Sequence, residues 1–89
     1  MNYNISVEKV QESRAKDLDF DNVPLGRTFT DHMFICDFEN GEWINPRIIP
    51  MQNIPTHPAA MALHYGQAIF EGMKATKDED NVPMLFRPN

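Results

Sequence analysis

Asn40-Gly41 constrains this chain more than any other pair of residues. Both residue types tolerate the positive φ angles of a type I′ turn, and a two-residue turn of that kind folds its flanks into a hairpin. The flanks suit it. In TFTDHMFICDF, residues 28–38, Phe29, Met33 and Ile35 alternate with Thr28, Thr30, Phe34 and Cys36, the period-two pattern of a strand with both faces at least half buried. Trp43 and Ile44 begin the return strand. Pro46 has no ladder donor, so the return strand is expected to be an edge or to bend there; Ile48 and Ile49 resume the apolar pattern before Pro50 ends it.

Beyond this hairpin the signals change. Thr56 or His57 can cap a helix, Pro58 suits its first position, and Ala59, Ala60, Met61, Ala62 and Leu63 favour helix as far as Gly66. About two turns are expected, dependent on tertiary packing. Ile69, Glu71, Met73 and Ala75 then alternate with Phe70, Gly72, Lys74 and Thr76, and the turn DEDN leads into MLF, predicting a second hairpin of residues 70–76 with 83–87. Gly72 would mark either a bulge or the close approach of a ligand. Residues 1–24 are polar and of mixed charge, with little to bury on a helical face: either a frayed terminus or an arm lying on a partner subunit, with Leu18 and Phe20 as anchors. The fold class is therefore α+β, antiparallel hairpins with one short helix, with strand edges left unprotected.

Composition narrows the function classes. With 89 residues, 42% of them apolar, the chain has enough for one modest core and not two domains. The net charge is −5 and no short window concentrates Lys and Arg, which argues against a nucleic-acid partner. A single cysteine, Cys36, excludes an internal disulfide, and no apolar run approaches the ~20 residues that span a bilayer. A cytoplasmic chain without a membrane partner is expected.

No group of side chains defines a reaction by spacing alone. On a strand His32 and Cys36 share a face about 13 Å apart, too far for one metal ion, and Pro58 separates His57 from His64, so no metal site is expected. Asp31 and Glu71 are acids in apolar surroundings, where burial would raise their pKa unless donors compensate. Backbone hydrogen bonds at a turn, or pairing with Arg27 or Arg47, would supply that compensation. Lys74 beside apolar neighbours reads as a snorkelling side chain or a desolvated amine. Tyr65, where helix yields to loop, is placed to keep its ring packed and point its hydroxyl into a cavity.

Four elements in order, FTDHMF (residues 29–34), NGEW with PRIIP, LHYGQAIFEGMKA (63–75) and LFRPN, resemble the amino-terminal part of the branched-chain amino acid aminotransferases, over residues 23–89. The resemblance implies a fragment of a fold type IV pyridoxal-phosphate enzyme: residues 1–24 an arm, residues 25–89 most of the small α+β domain, truncated at its carboxyl end, and the large catalytic domain absent. The parent would be a homodimer that moves the amino group of Leu, Ile or Val to 2-oxoglutarate. The resemblance also implies that the Schiff-base lysine and the phosphate-binding arginine both lie beyond Asn89. Lys74 and Arg87 are not these residues, and no cofactor is expected on the fragment alone, which would be inactive. Three positions carry over as substrate-pocket residues: Phe29, Tyr65 and Phe70. Thr76 departs from relatives that carry an aromatic there. Two other readings compete: another fold type IV enzyme, such as a D-amino acid aminotransferase or an aminodeoxychorismate lyase, or a noncatalytic α+β binding or oligomerisation module. FTDHMF and LHYGQAIFEG favour the branched-chain member.

Overall fold

The computed structural model describes residues 4–86. The chain divides into two units, Met1–Ile54 and Pro55–Asn89.

In the first unit, β1 (Ser6–Val7), β2 (His32–Glu39) and β3 (Glu42–Pro50) form one sheet in the order β1-β3-β2. The expected hairpin is its main body: β2 and β3 pair antiparallel from His32↔Pro50 to Glu39↔Glu42. Asn40 and Gly41 take φ of 50° and 80°, as a type I′ turn demands. Beside the turn, the Phe38 and Trp43 rings meet at 4.9 Å and 59°, a tilted cross-strand pair that fixes the register locally.

The Pro46 expectation resolves in favour of a bend. β3 is the central strand, with β1 parallel to it at Ser6↔Arg47 and Val7↔Ile48, so it is not an edge. The ladder shifts between Ile35↔Arg47 and Asp37↔Ile44, leaving Asn45 and Pro46 opposite the single residue Cys36. This is a β-bulge, and it accommodates the missing donor of Pro46 without breaking the strand. Asn45 adopts φ 53°, Cys36 donates its thiol to the Ile44 carbonyl at 3.2 Å, and Arg47 Nη1 donates to the Asn45 carbonyl at 2.8 Å and to Asp37 Oδ2 at 3.1 Å. The extra residue also changes parity. Trp43 and Ile48, five apart, both fall on the face of their partners Phe38 and Phe34.

Several expectations are corrected. β2 begins at His32 and not Thr28. Its faces are covered unevenly: Met33, Ile35 and Asp37 are partly covered on one, while on the other His32 and Cys36 are partly covered and Phe34 and Phe38 exposed. Among the described residues no side chain is buried, so the modest core expected from composition is not formed by them. The polar arm contributes a strand, with Glu8 N donating to the Ile48 carbonyl at 2.8 Å.

In the second unit the helix α1 spans Met61–His64, one turn rather than two. His57 holds the preceding residues in a separate turn, its Nδ1 accepting from Ala59 N and its carbonyl from Ala60 N, which delays the helix past Pro58. Gly66 ends it as expected, at φ 63°. The second hairpin is shorter than expected: β4 (Ala75–Lys77) pairs with β5 (Pro83–Leu85) through Thr76↔Met84. Asp78 organises the turn, its Oδ1 accepting from Asp80 N and Val82 N, both at 2.8 Å. Residues 70–74 are outside any strand, and Gly72 forms no bulge; a Cβ there would meet open space. Arg87, the expected end of this hairpin, lies outside the described residues.

Nothing lies within 4 Å of a Cβ built on Gly41, so a side chain there meets only backbone strain. Gly41→Ala is expected to cost ~1 kcal/mol and to speed amide exchange at Phe38 and Trp43. Unchanged exchange at both positions would contradict the type I′ assignment.

Candidate functional site

The cleft that contains Phe29 begins with a turn. Pro24 and Gly26 form it: Arg27 N donates to the Pro24 carbonyl at 3.5 Å, and Gly26 at φ 76° supplies the positive angle that a type II turn needs at its third residue. The chain leaving this turn, residues 27–31, faces the arm. Between them lies an open cleft of about 720 Å³ with Leu18, Phe20, Val23 and Phe29 among its apolar walls and Arg14, Arg27 and Asp31 among its polar ones.

Asp31 ties the two sides together. Its Oδ2 accepts from Ser13 Oγ at 2.5 Å and its Oδ1 from Arg14 N at 3.0 Å. Arg14 also donates from Nη2 to the Thr30 carbonyl at 2.7 Å and reaches Asp31 Oδ1 from Nε at 3.5 Å. His32 adds a further tie, its Nε2 accepting from Val10 N at 3.0 Å. The Ser13 hydroxyl and then the Arg14 amide hold the Asp31 carboxyl below the ordinary aspartate value; desolvation opposes them and the Arg14 guanidinium adds to the lowering. Of the expected compensations for Asp31, a backbone hydrogen bond is present, from Arg14 N, while the arginine it pairs with is Arg14 and not Arg27 or Arg47. Arg47 pairs instead with Asp37.

The pocket residues expected from sequence fall in different units. Phe29 lines the cleft of the first unit and is 59% exposed. Tyr65 and Phe70 belong to the second, at 75% and 93% exposed; Tyr65 follows α1 with its amide bonded to the Met61 carbonyl, and Phe70 lies in the extended segment before β4. Glu71 and Lys74 are exposed in that same segment, so neither is desolvated. Among the described residues no cluster of three metal-ligating side chains occurs, and no helix is long and apolar enough to cross a membrane.

Comparison with known proteins extends along nearly the whole chain. It is 47% identical over 85 residues to branched-chain-amino-acid aminotransferase 2 of Bacillus subtilis, a match covering 94% of this chain and 23% of that protein. The cytosolic branched-chain-amino-acid aminotransferase of Mus musculus is 41% identical over 97 aligned positions, 94% of this chain and 25% of the relative. The mitochondrial enzyme of Bos taurus is 44% identical over 85 residues, 94% and 22%. The chain belongs to the branched-chain-amino-acid aminotransferase family. It spans about a quarter of the length of these aminotransferases, and no protein-family model matches it.

Within this aminotransferase segment, Ser13 and Arg14 were not singled out by the sequence, where they fall in a stretch, residues 1–24, that reads only as polar and of mixed charge. The available local cue was Ser13 itself, a capping type of residue before Ala15–Asp17: its Oγ accepts from Ala15 N at 3.1 Å and starts a single 3-10 turn. Leu18 and Phe20 were expected to anchor on a partner or to fray; they line a cleft of their own unit.

A lowered folded-state pKa means that the unfolded chain binds more protons between that value and the ordinary one. The Asp31 contribution is thus complete above the ordinary value of 3.8 and disappears as pH falls through the folded value. The Arg14 amide resonance should titrate with a midpoint below 3.8. A midpoint at or above that value would refute the tie.

Proposed function

We propose that these residues form the substrate-facing part of the small domain of a fold type IV aminotransferase. The whole protein exchanges the amino group of leucine, isoleucine or valine with 2-oxoglutarate, as a cytoplasmic homodimer. What carries this reading is identity of 41 to 47% with aminotransferases over 94% of the chain, a span long enough to take in Phe29, Tyr65 and Phe70. In the domain division that belongs to it, residues 1–24 are an arm and residues 25–89 most of the small domain.

The side chains suit a binding wall. Phe29, Tyr65 and Phe70 turn none of their rings into a protein core, so each keeps apolar surface free to cover a ligand. Rigid aromatic walls reject charged and polar side chains, which would lose hydration without gaining a partner, and separate Leu, Ile and Val by only ~1–3 kcal/mol per methylene. The Tyr65 hydroxyl adds one donor and one acceptor with which to orient the polar end of a substrate.

Pyridoxal phosphate, when bound, supplies the electron sink that makes the α-proton of an amino acid labile. The cleft has no lysine among its lining residues, and Arg14 is engaged by Asp31 and Thr30, so this segment fits the cofactor as a wall and not as its covalent anchor. The anchoring lysine and the phosphate-binding arginine belong, in this reading, to the remainder of the protein.

Amino transfer from leucine to 2-oxoglutarate is expected from the full-length protein and not from the 89-residue chain; comparable turnover by both, or a preference of the full protein for D-alanine, would defeat the proposal. Phe29→Ala in the full protein should lower kcat/KM for leucine by roughly tenfold or more, with little change for the small substrate alanine. Equal losses for both substrates would remove Phe29 from the side-chain pocket.

A further inference from the structure

We propose that the arm completes the side-chain pocket around Phe29 and that Asp31 is the positioning residue that holds it there; this rests on the amino-transfer reading above. The three residues that follow Phe29 each grip the arm. The Thr30 carbonyl accepts from Arg14 Nη2, the Asp31 carboxylate from Ser13 Oγ and Arg14 N, and His32 Nε2 from Val10 N. These ties bracket residues 10–14 and start the 3-10 turn Ala15–Asp17, whose closing bond, Leu18 N to the Ala15 carbonyl, delivers Leu18 to the cleft. Phe20 follows through a tight turn built on Asp19, whose carboxylate accepts from Asp21 N and Asn22 Nδ2.

Phe29 alone offers one flat wall. Leu18 and Phe20, lining the same cleft, convert that wall into a slot whose width sets the bulk of side chain admitted. The charged groups near this slot are accounted for in part: Arg14 is turned toward Asp31 and the Thr30 carbonyl, leaving aliphatic and aromatic carbon as its apolar walls. The ligand class that suits those carbon walls is the branched side chain of an amino or 2-oxo acid, with the arm as a determinant of size; Arg27, also in the lining, has the charge sign that attracts such an acid's carboxylate.

In the full-length aminotransferase, Leu18→Ala should widen the slot and lower the kcat/KM ratio of leucine over phenylalanine by threefold or more, on the order of a fraction of one methylene contact. Asp31→Ala should shift the ratio in the same direction, with most of its loss in KM for leucine rather than in kcat. Asp31→Asn retains an oxygen acceptor for the Arg14 amide and should recover part of the loss, which a general defect in folding would not do. Unaltered ratios in Leu18→Ala and Asp31→Ala would overturn the proposal. A readout free of turnover is titration with 4-methyl-2-oxopentanoate, which should perturb the Leu18 methyl and Phe29 ring resonances together; a shift of Phe29 without Leu18 overturns the arm's role. Failure of the wild-type protein to transaminate leucine would instead count against the amino-transfer reading, and the titration would then decide the arm.

Discussion

The antiparallel ladder between His32 and Pro50 is the element on which the first unit depends. It is the longest run of paired backbone in the chain, and it is closed by a turn that two residues make possible. β1 is only two residues long and gains its place by pairing to β3, while the residues after it are fastened to His32 at the start of β2 and to Thr30 and Asp31 just before it. With side chains only partly covered and none of the described ones fully buried, these contacts rest largely on hydrogen bonds and on cross-strand pairs such as Phe38 and Trp43, each a modest contribution in water. Local geometry therefore determines this unit more than a core does.

Asp31 shows how such a unit still presents a defined site. A carboxylate that accepts from a hydroxyl and a backbone amide fixes direction as well as distance, and it does so two residues from Phe29 on the wall of the same cleft. Its donors come from 17 and 18 residues earlier in the chain, so a short polar stretch with no burial of its own acquires a fixed course. Under the amino-transfer proposal, such fixing of apolar walls is what would let the site distinguish side chains that differ by single methylenes.

What could be read from the amino acids was what local chemistry decides. Asn40-Gly41, the end of α1 at Gly66 and the polar turn after Lys77 were all legible because each is a property of two to five adjacent residues. The bend at Pro46 was legible too, although the count of two residues against Cys36 was not, since it depends on the partner strand. Ile69 and Phe70 misled: alternation describes the faces a strand would have and says nothing of whether a neighbour exists, and these two side chains are almost fully exposed. At the cleft, the motif drew attention to Phe29, which is among the lining residues, whereas the Asp31 partnership spans a separation that no local pattern encodes.

The bulge at Asn45 and Pro46 has a consequence for length variation in this sheet. A strand with strict alternation tolerates insertions or deletions in twos, because an odd change exchanges inside for outside over everything that follows. Here the odd residue is already built in, and the apolar residues on either side are written to match it. Losing one residue at this point would remove the bulge and leave Arg47 opposite Ile35 and Ile48 opposite Phe34 as before, whereas gaining one would rotate Arg47 onto the aromatic surface and Ile48 away from it. The dipeptide thus acts as a phase marker, the place where the chain's two halves of a strand agree on which way is up.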